Sequence, residues 1–223
     1  MRNITIDEIK ELAARLPSIP DTRPSLLKGT HSAMYPTSTY YRFFHELVRN
    51  YGPFDVLEIG AYLGSSTAHL AYGNSGKVVT VDIEPNAIAA VSAMGFKNVI
   101  PVLGNSTFVL DKIVEHGPFD LFFIDGNHTF NSMYGEYVTF FPHVRKGGLI
   151  FVDDIELDME TDEMRIAWDY VEGPKVSIPE LHDTGFGVAV KESTMSPRSW
   201  DEVIPEVARL MEEARNKKKV KVS

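Results

Sequence analysis

Phe54-Asp55-Val56-Leu57-Glu58-Ile59-Gly60-Ala61-Tyr62-Leu63-Gly64-Ser65-Ser66 is the stretch that decides the fold. Val56–Ile59 is an apolar run of strand length, Gly60 and Gly64 bracket a tight loop, and the small residues from Ser65 open a helix. An acid, Glu58, stands near the strand's end. Taken alone, the pattern also fits an ordinary strand–turn–helix, where glycines are common.

This is the architecture of a loop that holds an adenosine-containing cofactor, and the spacing discriminates between cofactors. A dinucleotide loop needs G-x-G-x-x-G, whereas here Glu58-x-Gly60-x-x-x-Gly64 lacks the third glycine. Glu58 would repel a pyrophosphate but suits an ammonium or sulfonium group. S-adenosylmethionine presents both. Its carboxylate can meet free backbone N–H groups and hydroxyls at Gly64, Ser65 and Ser66, where a helix begins.

Outward from this loop, apolar runs alternate with helical patterns. Strands are expected at Val56–Ile59, Lys77–Val81, Val99–Leu103, Leu121–Ile124 and Leu149–Val152, with helices near Ser65–Tyr72, Pro85–Ala93, Thr107–Glu115 and Asn131–Phe141. Such alternation implies a doubly wound, mostly parallel α/β sheet with helices on both faces. A helix fits Glu163–Val171. Lys175–Ile178 and Gly187–Lys191 read as an antiparallel edge hairpin, which completes a seven-stranded sheet, and a closing helix spans Ser199–Arg215. Upstream, Thr5-x-x-Glu8 is a capping box before a first helix. A second helix spans about Thr37–Tyr51. The intervening Pro-, Ser- and Thr-rich segment reads as a surface loop, and Lys28–Tyr41 as a lid over the site. The chain divides into N-terminal helices and lid (1–51), a cofactor-binding catalytic domain (52–215) and a basic tail (216–223).

Composition narrows the function. The chain of 223 residues has an apolar content of 43%, enough for a buried core. It has no cysteine, which excludes disulfides, Cys-ligated zinc and thiol catalysis. No run approaches a membrane span, and the N-terminus does not resemble a signal peptide, so a cytoplasmic location is expected. The net charge of −9 understates the acidity of the body, because Arg215, Lys217, Lys218, Lys219 and Lys221 crowd the end. Such a body repels nucleic acid, and the basic end reads as a solvated, frayed terminus.

Further along, Val78–Val81 runs into Asp82, placed where an acid accepts ribose hydroxyls, with Ile83 beside it. Leu103-Gly104-Asn105-Ser106 ends the next strand. Asn105 and Ser106 can bond an adenine edge or cap the following helix.

Two later strands emerge into acids: Ile124-Asp125-Gly126-Asn127-His128 and Val152-Asp153-Asp154. Ligands in such sheets bind beyond the strands' carboxyl ends, so Asp125, Asp153 and Asp154 should converge. Three carboxylates together call for a cation, and oxygen ligands favour Mg²⁺, with Mn²⁺ or Ca²⁺ as alternatives. The competing readings are that Asp153 and Asp154 alternate sides, that Asp125 merely forms a turn, or that His128 joins the aspartates on zinc. His128, with an ordinary pKa of about 6.5, suits removal of a hydroxyl proton, unless it only caps the next helix. His31, His45, His69, His116, His143 and His182 have no comparable setting.

From about Lys28 to Lys191 these motifs resemble class I methyltransferases, in particular the metal-dependent O-methyltransferase group that includes catechol O-methyltransferase. They look closest to a bacterial branch acting on natural-product sugars and related small molecules. The resemblance implies a Rossmann-like methyltransferase fold. It places S-adenosylmethionine on Glu58, Gly60, Ala61, Tyr62, Gly64, Ser65, Ser66, Asp82, Ile83, Asn105, Ser106 and Asp125, and the metal on Asp125, Asp153 and Asp154. Asp154 stands where catechol enzymes have Asn, and His128 where they have a catalytic lysine. Asn105 replaces a small apolar residue. The implied activity is methyl transfer to a small-molecule hydroxyl with Asp125 and His128 as catalytic residues; a homo-oligomer is left open. The alternative is a cofactor-binding relative that does not methylate, either hydroxylase-associated or a non-catalytic partner subunit.

Overall fold

The chain is described from a computed structural model covering residues 3–28, 39–157, 160–192 and 196–222, without the side chains of 219–222. Residues 29–38, most of the expected lid, lie outside the described residues. Strands β1 (Val56–Ile59), β2 (Val78–Asp82), β3 (Val99–Leu103), β4 (Phe119–Ile124), β5 (Val144–Asp153), β6 (Lys175–Ser177) and β7 (Phe186–Val190) form one sheet in the order β3-β2-β1-β4-β5-β7-β6. The first five are parallel; β7 runs antiparallel to both β5 and β6. This is the seven-stranded sheet with an edge hairpin that the alternation implies.

The helices are α1 (Ile6–Arg15), α2 (Ser25–Lys28), α3 (Tyr40–Tyr51), α4 (Ser65–Ala71), α5 (Pro85–Ala93), α6 (Leu110–Val114), α7 (Phe130–Phe140), α8 (Glu163–Asp169) and α9 (Trp200–Val222). Alternating strand residues feed two cores. Leu57, Ile59, Phe122, Ile124, Ile150 and Val152 pack under α7, α8 and α9, against Tyr134, Tyr137, Trp168 and Val203. Val56, Leu121, Phe123, Leu149 and Phe151 face α1, α3 and α4, against Leu12, Phe43, Phe44 and Leu70. The Thr5–Glu8 capping box opens α1.

Among the boundaries that differ from expectation, which include a β5 that begins at Val144 and not Leu149, two have a visible cause. Helix α6 starts late because Asn105 Oδ1 accepts from Thr107 N at 3.1 Å and Thr107 Oγ1 at 2.7 Å, holding the chain in a turn. The basic end is not a frayed coil: α9 continues to Val222. Acids across the way hold it, with Arg215 Nε 3.3 Å from Glu160 and Lys218 Nζ 2.7 Å from Asp162.

The strand order reverses at β1. Its neighbours β2 and β4 send their connections to opposite sides, and the crevice that opens beyond their ends is where such sheets bind ligands.

Candidate functional site

A cleft of about 870 Å³ occupies that crevice, lined by residues that follow β1 through β5 and by α3 and the β6–β7 loop. Its two halves are joined at one point. Gly60 has φ +96°, and a Cβ there would lie 1.8 Å from the Asp125 carbonyl oxygen. Asp125 N in turn donates to Ile59 O at 2.9 Å. The loop after β1 therefore rests directly on the loop after β4.

In the first half, Asp82 accepts from Tyr62 N at 2.8 Å and from Glu84 N at 2.9 Å, tying the loops after β1 and β2 together. Tyr62 adopts a left-handed φ of +44° to make this turn. Gly60, Ala61, Tyr62, Ser65, Ser66, Asp82, Ile83, Asn105 and Ser106 all line the cleft. Gly64, at φ +76°, turns the loop into α4 from behind.

Glu58 is placed differently from the lining residues. Strand parity puts it with Val56 and Thr80 on the α4 side, fully buried, where Thr67 Oγ1 donates to its Oε2. Burial raises its carboxyl above the usual range, against hydrogen bonds from Ser66, Thr67 and Thr80. Its Oε1 and the buried Ser65 Oγ find no partner among the described residues.

In the second half Asp125, Asp153 and Asp154 all line the cleft, in two overlapping groups that share Asp154. Asp153 ends β5, and Asp154 takes a left-handed φ of +58°. That turn breaks the strand's alternation, so both carboxylates face the cleft and the reading in which only one points inward is set aside. Ligand atoms of Asp125, His128 and Asp154 lie within 4.8 Å of one another, as do those of Asp153, Asp154 and His182. His128 Nε2 is 3.0 Å from Asp154 Oδ2 and 3.9 Å from Asp125 Oδ1. The cap of α7 is Thr129, which accepts from Ser132 N at 3.3 Å, so His128 is free of that duty.

Electrostatics follow from this crowding. Burial and the Asp153 charge lift the Asp125 carboxyl to about 8. Asp125 and Asp154 raise the His128 imidazole to about 10. Burial pushes Asp154 up, but His128 and the Thr184 hydroxyl outweigh it and hold the carboxyl below its usual range.

Four cleft residues escape sequence reasoning. His182, from the β6–β7 loop, places Nδ1 2.7 Å from Asp153 Oδ1, which corrects the expectation that it has no comparable setting. In the same loop Thr184 Oγ1 donates to Asp154 Oδ1. The hairpin pairing was the usable signal: Phe186 lies opposite Asp153, so the loop before it must overhang the acids. Tyr40, at the start of α3, sets its hydroxyl 3.4 Å from Asp125 Oδ2 and stacks on Phe186. Burial, then the charges of Asp125 and Asp153, keeps this phenol protonated. Glu136 on α7 also lines the cleft, bonded to Ser106.

Comparison with known proteins adds the following. Residues 57–155 match the family model described as "Methyltransferase domain". No curated protein sequence matches the chain. Among solved structures, an O-methyltransferase from Bacillus cereus, in complex with SAH, is 20% identical with a TM-score of 0.61, covering 84% of this chain and 100% of that one. A SAH-bound methyltransferase from Podospora anserina is 17% identical with a TM-score of 0.62, covering 86% and 99%. TomG of Streptomyces achromogenes, an O-methyltransferase of tomaymycin synthesis in complex with SAM, is 18% identical with a TM-score of 0.57, covering 85% and 92%. At such identities the likeness is one of fold.

Proposed function

We propose that the chain, whose residues 57–155 match a methyltransferase family model, moves the methyl group of S-adenosylmethionine to a hydroxyl of a small molecule held by a divalent cation at Asp125, Asp153 and Asp154. The observation that carries this reading is the left-handed turn at Asp154, which brings a third carboxylate to the cleft beside the Gly60 loop.

The residues fit both absent groups. For the methyl donor, the loop offers the unpartnered Ser65 Oγ and the Asp82 carboxylate at the cleft wall. Glu58 would act from behind through the field of its buried carboxyl. For the cation, the clustered acids are the donor set a hard ion takes, and their mutual repulsion is what such an ion relieves.

When bound, the cation would supply the positive charge that lowers the acceptor hydroxyl's pKa. His128 takes the proton as the oxygen–methyl bond forms and the sulfur–methyl bond breaks, leaving S-adenosylhomocysteine and a methyl ether. His128 can do so only when Asp125 and Asp154 no longer hold a proton on it, so its role depends on neutralised acids. Tyr40, His182 and Thr184 keep the three carboxylates in place. Residues 1–51, and Lys28–Tyr41 within them, select the acceptor in this reading, and the acidic chain (net −9) is matched to a small molecule and not to nucleic acid. Among the described residues no helix is long and apolar enough to cross a membrane.

Calorimetry with S-adenosylmethionine, with and without Mg²⁺, followed by a screen of sugar and phenol acceptors for methyl transfer, tests the proposal. Asp153→Ala should abolish turnover and leave cofactor affinity nearly unchanged. Full activity in EDTA would remove the cation from the reading. Binding with no transfer to any acceptor would favour the non-methylating relative.

A further inference from the structure

Glu136 is a buried carboxyl that neither the aspartate cluster nor His128 uses. It is 7% exposed, lies on α7 beneath the loops after β3 and β4, and lines the cleft. Ser106 Oγ donates to its Oε1 at 2.9 Å, while Oε2 is buried without a partner among the described residues. Among the described residues no cation offsets it: burial lifts the carboxyl to about 7, and the Ser106 hydroxyl alone opposes that rise. A half-satisfied buried carboxyl without a counter-charge is costly. Its retention at a cleft wall is understandable if a ligand donates to it.

The position says which part of the ligand. Along the cleft, the aspartate cluster lies beyond β4 and β5, Asp82 beyond β2, and Asn105 and Ser106 beyond β3. With the ribose at Asp82, the base extends toward Ser106 and therefore toward Glu136. Gly126, on the loop after β4, faces the Glu136 carboxylate, a Cβ there lying 3.5 Å from Oε2. An adenine ring offers an exocyclic amine donor on its Watson–Crick edge. We infer that Glu136, fixed on one oxygen by Ser106, accepts a hydrogen bond from the exocyclic amine of the cofactor's adenine and so selects adenine over 6-oxopurines. The inference rests on the S-adenosylmethionine reading above.

The test measures binding of S-adenosylhomocysteine and of its inosine counterpart, in which a carbonyl replaces the amine. The wild-type chain should prefer the adenosine form by roughly 10- to 100-fold, the worth of one hydrogen bond to a charged group. Glu136→Met, similar in volume and without acceptors, should bring the ratio near one by weakening only the adenosine form. A wild-type ratio near one overturns the inference, as does a preference that survives in the variant. A wild-type ratio near one overturns the inference whether or not the variant folds, and Glu136→Leu takes the place of Glu136→Met if the latter does not fold. Failure of S-adenosylhomocysteine to bind the wild-type chain at all instead overturns the cofactor reading, and the inference with it.

Discussion

His182 Nδ1 and Asp153 Oδ1 lie 2.7 Å apart, joining the antiparallel hairpin to the end of the last parallel strand. Burial pushes the His182 imidazole down, but Asp153 outweighs it and raises the pKa above its ordinary value. Residues that orient a ligand from behind typically contribute 10- to 100-fold to metal affinity. His182→Ala is therefore expected to weaken Mn²⁺ binding by about that factor, read by calorimetry. S-adenosylmethionine binding should stay within about threefold of wild type, and an unchanged Mn²⁺ affinity would deny His182 a positioning role.

Cation binding is expected to release protons. Near pH 7 the Asp125–His128–Asp154 cluster holds protons in the cation-free protein, because burial and the Asp153 charge raise Asp125 and the flanking carboxylates raise His128. Ligands must lose protons to bind a metal, so affinity should climb as pH rises from about 7 toward 9. Titrations of Mg²⁺ or Mn²⁺ in two buffers of different ionisation enthalpy would count the protons released. His128→Ala should lower that count and reduce kcat by on the order of 10²–10⁴.

Gly60 and Gly95 separate backbone strain from close approach. Both have positive φ, at +96° and +71°, but a Cβ at Gly95 meets nothing within 4 Å, while at Gly60 it lies 1.8 Å from Asp125 O. Gly95→Ala should cost about 1 kcal/mol, the ordinary left-handed penalty. Gly60→Ala should cost about 3 kcal/mol or more and disturb both halves of the cleft. Urea midpoints of the two variants check the contrast.

His69 makes the fold acid-sensitive. Fully buried on α4, it lies with Nδ1 2.7 Å from Ser65 O and Nε2 3.1 Å from Arg23 Nη1. Burial lowers its pKa to about 4. Between about 6.5 and 4 the unfolded chain binds a proton that the folded chain refuses, so stability falls as pH falls through that window. The full loss is about 3 kcal/mol. Thermal melts of wild type and His69→Gln from pH 7 to 4 should show a shallower decline in the variant.

The sequence shows those parts of the site that are local. Val56–Ile59 with Gly60, and Ile124–Asp125 and Val152–Asp154, each announce a strand running into polar residues, and topology then forces them together. Glu58 was visible as a motif, yet its direction is set by strand parity: it shares a face with Val56 and Thr80, not with the cleft. Asp154 required a left-handed turn that no propensity signals strongly, although Asp tolerates it. His182, Thr184, Tyr40 and Glu136 come from segments with no motif, and they reach the cleft through hairpin pairing and helix packing over long sequence separations. Their roles depend on contacts that no local spacing encodes.

The peptide contact between Gly60 and Asp125 has a consequence for how the site can change. It fixes the spacing between the two halves through backbone atoms, which substitutions elsewhere do not alter. The loop from Ile178 to Phe186, by contrast, reaches the acids through the side chains of His182 and Thr184. New side chains there can reshape the acid end of the cleft, while the separation of its two halves stays with the sheet.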